Sequence, residues 1–146
     1  MAESIPPQHV GIDVSKARLD LAVHETGEVW SCANDPLGWA ELLPRLRASV
    51  PSRLVVEASG GLEVPLLAEL WAAQLPVALV NPARVREFAR ALGLLAKTDR
   101  IDARLLARFA QAVQPPLTPL PSEAEQHLAA LVNRRRQVVD MLTAEN

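Results

Sequence analysis

The fold is decided near the start of the chain, where residues 9–25 read His-Val-Gly-Ile-Asp-Val-Ser-Lys-Ala-Arg-Leu-Asp-Leu-Ala-Val-His-Glu. Aliphatic residues occupy positions 10, 12 and 14 and again positions 19, 21 and 23. This period of two is typical of β-strands, and Gly27 then predicts a turn into a third strand at 28–33. The opening of the chain is therefore predicted to be an antiparallel meander.

Beyond residue 33, helical segments alternate with short apolar runs. Pro36 opens a helix that extends to about Arg47, although Pro44 is unfavourable inside it. The elements predicted next are a buried strand at 54–58, a helix at about 62–74, a buried strand at 76–80, a helix from Pro82 to Gly93 and a helix from Thr98 to about Val113. This order predicts an α/β domain with a mixed five-stranded sheet and helices over its faces.

Size and composition predict one globular domain with an extension. The chain has 146 residues, of which 49% are hydrophobic, and no apolar run approaches the 18 residues of a membrane span. The N-terminus lacks the features of a secretory signal, and a single cysteine, Cys32, fits a reducing compartment. We therefore expect a cytoplasmic protein without a membrane partner.

The chain is predicted to have three parts. Residues 8–113 form the globular domain, and residues 114–121, with four prolines, form a stiff linker. Residues 122–146 form an amphipathic helix with near-heptad spacing, which begins a coiled-coil extension and is still open at Asn146. This helix predicts a homo-oligomer, namely a dimer formed through the C-terminal helix.

Two aspartates stand three residues apart in the stretch Lys97-Thr-Asp-Arg-Ile-Asp-Ala103. With Thr98 as the cap of a helix, Asp99 and Asp102 project to one side, one turn apart. Asp102 is then expected in the apolar arc that faces the core. Buried carboxylates need a neutralising partner, so a bound cation is predicted there.

Two further acids occupy unusual positions. Asp13 interrupts the first strand, where aspartate is disfavoured, and Glu57 ends the strand at 54–58. Each has an alternative explanation, because Asp13 could bond to a neighbouring backbone and Glu57 could pair with an arginine such as Arg84. If the four carboxylates converge, however, their mutual repulsion requires cations between them.

Hard oxygen ligands predict Mg²⁺ or Mn²⁺ as the bound cation. Two such ions about 4 Å apart form the clamp that serves in-line displacement at phosphorus. The four acids Asp13, Glu57, Asp99 and Asp102 are therefore predicted to be both metal ligands and catalytic residues.

Basic residues are concentrated in two short regions, although the net charge is −2. Seven lie within residues 84–108 and three lie within 134–136, which together make ten of the 15 basic residues. Such runs are often only solvated helix faces. They are also suited to contacts with a nucleic-acid backbone. The predicted contacts are Lys16, Arg84, Arg86, Lys97, Arg100, Arg104, Arg108, Arg134, Arg135 and Arg136.

Four blocks resemble the N-terminal domain of the DEDD transposases, the Piv-like insertion-sequence recombinases with a RuvC-type, RNase H-like fold. The blocks are Gly11-Ile-Asp-Val-Ser-Lys16, Val55-Val-Glu-Ala-Ser-Gly60, Val80-Asn-Pro-Ala-Arg-Val-Arg86 and Lys97-Thr-Asp-Arg-Ile-Asp-Ala103. The resemblance covers residues 8–113 and implies that Asp13, Glu57, Asp99 and Asp102 are the family's metal-binding tetrad.

The resemblance further implies metal-dependent cleavage and transfer of DNA strands by a transposase or recombinase. In this family a C-terminal domain supplies a serine nucleophile, so a chain that lacks that domain is expected to be inactive alone. Some members are directed to DNA by a structured guide RNA, which makes such an RNA a further implied partner.

Several alternatives use the same elements. A RuvC-like Holliday-junction resolvase or nuclease would use the same acids, and a non-catalytic module for nucleic-acid binding and dimerisation would use the arginines and the last helix. An actin-like ATPase lobe would need a glycine-rich hairpin after Asp13, but no glycine occurs until Gly27. A DnaQ-like exonuclease would need an acid at position 15, which is serine.

Overall fold

The computed structural model describes residues 6–94 and 100–120, which form one five-stranded sheet and four helices. The strands are β1 (Gln8–Val14), β2 (Arg18–Val23), β3 (Val29–Ala33), β4 (Pro51–Glu57) and β5 (Val77–Val80). The helices are α1 (Pro36–Ser49), α2 (Val64–Ala72), α3 (Pro82–Ala91) and α4 (Ala103–Val113). Within these ranges, no helix has both the length and the apolar character that crossing a membrane requires.

The strand order in the sheet is β3-β2-β1-β4-β5. The first three strands are antiparallel, whereas β4 and β5 run parallel to β1. The predicted meander and the predicted mixed five-stranded sheet are thus confirmed. An antiparallel meander continued by two parallel strands with helical crossovers is the arrangement of the RNase H-like fold, so the fold class is confirmed as well.

Alternation along the strands divides the domain into two cores. One face of the sheet carries Val10, Ile12, Leu54 and Val56, and it packs with residues of α1 and α2 such as Leu42 and Leu66. The opposite face carries Val55, Ala78 and Val80, which pack with Val85 of α3 and with Leu106 and Phe109 of α4. Asp13 and Glu57 directly follow Ile12 and Val56, and side chains alternate between the two faces of a strand. The two acids therefore lie on the opposite face, which α4 covers.

Helix α4 rests almost directly on the sheet because the contact residues are small. Ala103 and Ala107 of α4 pack against Ala22 of β2. A Cβ atom on Gly11 of β1 would stand 2.3 Å from the carbonyl oxygen of Ala103 and 2.4 Å from the backbone nitrogen of Ala107. The glycine in the middle of β1 therefore sets how closely α4 approaches Asp13, two residues further along.

The start of α4 differs from the prediction. The helix begins at Ala103 rather than at Thr98, and Asp102 is its exposed N-cap with an extended backbone. The prediction that Asp102 lies in the core-facing arc is therefore wrong. The physical reason is that the first amide groups of a helix lack partners, and an aspartate just outside the helix can accept from one of them. Thr98 and Asp99 lie outside the described residues.

The segment after α4 lies against the open edge of β5. The Thr118 backbone N–H donates to the Val77 carbonyl oxygen (2.8 Å), and the Thr118 hydroxyl oxygen accepts from the Leu79 N–H (2.9 Å). The Trp71 indole donates to the Thr118 carbonyl oxygen (3.2 Å). Residues 114–120 thus protect an edge strand that would otherwise expose unpaired backbone groups. The predicted helix at 122–146 lies outside the described residues.

Candidate active site

Three carboxylates stand in a row across neighbouring strands, on the face of the sheet that α4 covers. Asp13 of β1 lies directly opposite Asp20 of β2 in the antiparallel ladder. On the other side of β1, Ile12 pairs with Val56 in the parallel ladder. The next residue of each strand is an acid, so Asp13 and Glu57 lie side by side. Strand pairing alone therefore brings these acids together from distant parts of the chain.

Asp13 is the most enclosed of these acids, with 15% of its side chain exposed. Burial raises the pKa of its carboxyl group above the ordinary value, and the charges of Asp20 and Asp102 raise it further. The nearby Arg100 opposes this shift, since its Nη2 atom donates to Oδ2 of Asp13 at 3.3 Å. The net direction is upward, which means that an ionised Asp13 is costly here unless a cation compensates it.

Glu57 has a similar environment at the end of β4. Its half-buried position raises the pKa of its carboxyl group, and the charge of Asp13 adds to that effect. Arg86 and Arg100 act in the opposite direction without cancelling the shift. From the sequence, Arg84 was considered as the partner of Glu57, but Arg84 is exposed on α3. The arginine of α3 that acts on the Glu57 carboxylate is Arg86.

Asp20 is a site residue that the sequence-based reasoning missed. Its Oδ1 atom accepts from Arg18 Nε (2.9 Å), Arg18 Nη2 (2.7 Å) and Ser31 Oγ (2.7 Å). Partial burial by itself would raise the pKa of its carboxyl group, but these hydrogen bonds outweigh burial and lower that pKa. The available signal was its position between Leu19 and Leu21, which repeats that of Asp13 between two aliphatic residues.

Asp102 approaches the row from the start of α4. Its Oδ1 atom accepts from the backbone N–H of Leu105 at 2.8 Å, which is an N-cap bond. Asp102 also lines a cavity of about 380 Å³ together with Asp13, Asp20, Arg18 and Arg104. Asp102 is thus both the N-cap of α4 and one of the acids that line this cavity.

The cap bond predicts how substitutions at position 102 affect stability. We expect Asp102→Ala to lower the free energy of unfolding by about 1 kcal/mol, because the Leu105 amide loses its acceptor. Asp102→Asn should stay close to the unsubstituted chain, since asparagine caps helices equally well. Urea unfolding of the three proteins measures this difference. Equal stability of all three would show that the cap bond contributes nothing.

The chemistry of the donors fits a hard divalent cation, but the described part of the site is not a complete metal-binding group. Asp13 and Glu57 offer carboxylate oxygens, and burial and neighbouring acids raise the pKa values of both carboxyl groups, which is the electrostatic condition that a cation relieves. Within residues 6–94 and 100–120, however, no three Asp, Glu, His or Cys side chains stand close enough together to hold an ion. Asp99, the fourth predicted ligand, lies outside these ranges.

Comparison with known proteins identifies the family. A family model described as "Transposase", that of the DEDD transposases of the IS110 type, matches residues 10–146. The chain belongs to this transposase family. The resemblance drawn from the four sequence blocks is thereby confirmed.

Two curated relatives and one solved structure illustrate what this chain is similar to. The pilin gene-inverting proteins of Moraxella lacunata and Moraxella bovis are each 32% identical to it over 133 residues. That match covers 87% of this chain but 41% of either relative, so the chain spans about two fifths of their length. RuvC of T. thermophilus, solved with a Holliday junction substrate, has a TM-score of 0.49 and 18% identity over 77% of this chain and 99% of that one.

The basic residues predicted to contact nucleic acid are spread over the structure. Arg100, Arg104 and Arg86 lie near the acids, where they line the adjoining cavities or act on the carboxylates. Lys16 is exposed in the turn after β1, and Arg84 and Arg108 are exposed on α3 and α4. The remaining predicted contacts lie outside the described residues, and they are Lys97, Arg134, Arg135 and Arg136.

A buried glutamate, Glu63, shapes the loop that follows Glu57. The Oε2 atom of Glu63 accepts from Ser59 N (3.2 Å), Ser59 Oγ (3.0 Å) and Gly61 N (3.1 Å). Burial of Glu63 would raise its pKa, but these hydrogen bonds outweigh it and lower the pKa of the carboxyl group. Ser59 is therefore engaged in holding the turn after β4, which places the loop beside the acidic row.

Proposed function

We propose that this chain is the catalytic domain of a DNA transposase or recombinase that cleaves and transfers strands with divalent metal ions. Membership of the transposase family supports the substrate class. The observation that carries the chemical part is the pairing of Asp13 and Glu57 on adjacent parallel strands, where burial raises both pKa values and nearby acids raise them further, Asp20 and Asp102 for Asp13 and Asp13 for Glu57. Such a pair is suited to receiving a cation.

Asp13, Glu57, Asp99 and Asp102 are the proposed ligands of two ions, Mg²⁺ or Mn²⁺. Bound there, the ions would lower the pKa of the attacking oxygen and neutralise the leaving oxygen of a phosphodiester. The strands hold Asp13 and Glu57 in fixed register, so these carboxylates need little reorganisation to bind. Asp102 enters from the first turn of α4, and its cap bond to Leu105 orients its carboxylate.

Arg100 has a specific part in this proposal. Its side chain is 74% exposed, so the bond of 3.3 Å to Asp13 contributes little stability and is readily exchanged. We expect Arg100 to shield Asp13 while no ion is bound and to leave that carboxylate when one arrives. The guanidinium group would then be free to contact a phosphate of the substrate.

DNA is the proposed partner, and contacts to its backbone are proposed for Lys16, Arg84, Arg86, Lys97, Arg100, Arg104, Arg108, Arg134, Arg135 and Arg136. A guide RNA and a dimer formed through the helix at 122–146 also belong to the proposal. We expect the 146-residue chain alone to be inactive in strand transfer, because the family's serine nucleophile belongs to a further domain. A resolvase would use the same acids, so cleavage of linear and four-way DNA substrates distinguishes the two functions.

Manganese binding tests the metal site without requiring activity. We expect Asp13→Asn and Glu57→Gln each to weaken Mn²⁺ binding to the chain at least about tenfold, measured by calorimetry or by the electron paramagnetic resonance of free Mn²⁺. Glu41→Gln is the matched control, because Glu41 is exposed on α1, on the other side of the sheet. Unchanged binding by Asp13→Asn would refute the proposed metal site.

A further inference from the structure

Two adjoining cavities follow the seam between α4 and the β2–β3 hairpin. The first is the cavity of about 380 Å³ lined by Asp13, Asp20 and Asp102. The second, of about 240 Å³, continues along α4 past Arg108 to His24 at the hairpin turn. Arg104 and Val29 line both cavities, so the two form one continuous groove that leads away from the acidic site.

Small residues keep this groove open. Ala22 of β2 contacts Ala103 and Ala107 of α4, and these three residues form its floor. Val29 of β3 lies opposite Ala22 in the sheet register, so its side chain is on the α4 face, and it is 47% exposed. A larger side chain at position 22 would fill the seam, whereas alanine leaves a channel between the hairpin and the exposed face of α4.

The charge along the groove changes from one end to the other. The first cavity is lined by three aspartates as well as by arginines, whereas the described lining of the second contains Arg104, Arg108 and His24 and no acid. Neither Arg104 nor Arg108 forms an ion pair with any residue in 6–94 or 100–120. One end of the groove thus carries carboxylates that could bind cations, and the other end carries these two arginines. This arrangement is complementary to a nucleic-acid strand that has one phosphate at the acids and its neighbouring phosphates at the arginines.

We infer that this groove carries one strand of the DNA substrate away from the acidic site, with successive phosphates facing Arg104 and Arg108. The inference rests on the proposed function, because the same strand must present its scissile phosphate to the acids. The two arginines are one helical turn apart, about 6 Å along the axis. Phosphates of one strand of B-DNA advance by ~3.4 Å along the helix axis and lie farther apart along the backbone itself, so the spacing of the two arginines is suited to two neighbouring phosphates.

Opposite charges at position 29 test the groove directly. Val29→Glu should weaken the binding of a labelled single-stranded DNA about fivefold, whereas Val29→Lys should retain or improve it. Fluorescence anisotropy of the protein in EDTA measures this affinity without cleavage. The double variant Arg104→Gln/Arg108→Gln should reduce the slope of log affinity against log salt by about 1.4, at about 0.7 for each contact with a single strand.

Leu37→Glu is the matched control, since Leu37 is an exposed apolar residue of α1 on the other side of the sheet, and we expect it to bind DNA normally. Equal DNA binding by Val29→Glu and Val29→Lys would overturn the inference. It would also be overturned if the variants at positions 29, 104 and 108 changed the binding of an RNA probe but left DNA binding unchanged. Failure of the groove is distinguishable from failure of the metal site. If only the groove is wrong, the variants at positions 29, 104 and 108 bind DNA normally, while Asp13→Asn still loses Mn²⁺ binding. If only the metal site is wrong, Asp13→Asn keeps Mn²⁺ binding, while the groove variants change DNA binding as predicted.

Discussion

Under the proposed function, Asp13→Asn should abolish DNA strand exchange by a transposase that contains this domain, with a loss of at least about a thousandfold. Asparagine keeps the shape of the side chain but removes the charge that a divalent ion requires. Metal-assisted stabilisation of the transition state supplies several kcal/mol, and each 1.36 kcal/mol corresponds to a factor of about ten in rate. Strand exchange between two labelled DNA partners measures the loss.

Stability distinguishes this loss of activity from simple unfolding. The pKa of Asp13 is raised in the folded chain, so at neutral pH the ionised carboxylate destabilises the metal-free fold, and protonation at lower pH removes that cost. Asp13→Asn should therefore leave the free energy of unfolding unchanged or increase it at pH 7. A loss of more than about 2 kcal/mol would mark Asp13 as a structural residue. Full strand exchange by the variant would exclude its catalytic role.

Gly11→Ala should lower the free energy of unfolding by about 3 kcal/mol, because the added methyl group overpacks the contact between β1 and α4. The added Cβ would meet the Ala103 carbonyl oxygen at 2.3 Å, the Ala107 backbone nitrogen at 2.4 Å and the Leu106 Cβ at 2.7 Å. Two of these atoms belong to the backbone of α4, so the helix itself must move. That movement would carry Asp102 away from Asp13, and Mn²⁺ binding should weaken together with stability.

Gly60→Ala provides the control for this prediction. Gly60 has a φ of 71°, and a Cβ there would meet nothing within 4 Å. Its replacement therefore costs only left-handed backbone strain, about 1 kcal/mol. Urea unfolding measures the free energy of unfolding of both variants. If Gly11→Ala lowers it no more than Gly60→Ala does, the predicted clash of the added methyl group with α4 is contradicted.

Much of the fold follows from local patterns. The period of two in residues 9–33 predicts the meander, and the buried runs ending at Glu57 and Val80 predict the two parallel strands. These predictions are confirmed because side-chain direction alternates along a strand regardless of what packs on it. The start of α4 could not be predicted in the same way, since Thr98 and Asp102 are both suitable caps and the choice between them depends on contacts with the sheet.

The candidate site divides similarly. Asp13 and Glu57 stand out because charged residues are rare in such strands, and the ladder of β1 and β4 places them side by side. Asp20 carries the same signal but was overlooked, and its bonds to Arg18 and Ser31 depend on pairing with β1 and β3. The direct contact of Arg100 with Asp13 links residues 87 positions apart, and no local pattern specifies such a pair.

The sequence by itself determined the order of the strands along the chain, the shared sheet face of Asp13 and Glu57, and the family. Periodicity and motif spacing are properties of the chain alone, which is why these features could be predicted without coordinates. Only the tertiary structure decided that Asp102 caps α4 and that a groove leaves the acids along Arg104 and Arg108. The cap depends on where the helix starts once it is packed, and the groove depends on the distance between α4 and the sheet, which small residues on both elements set by close packing.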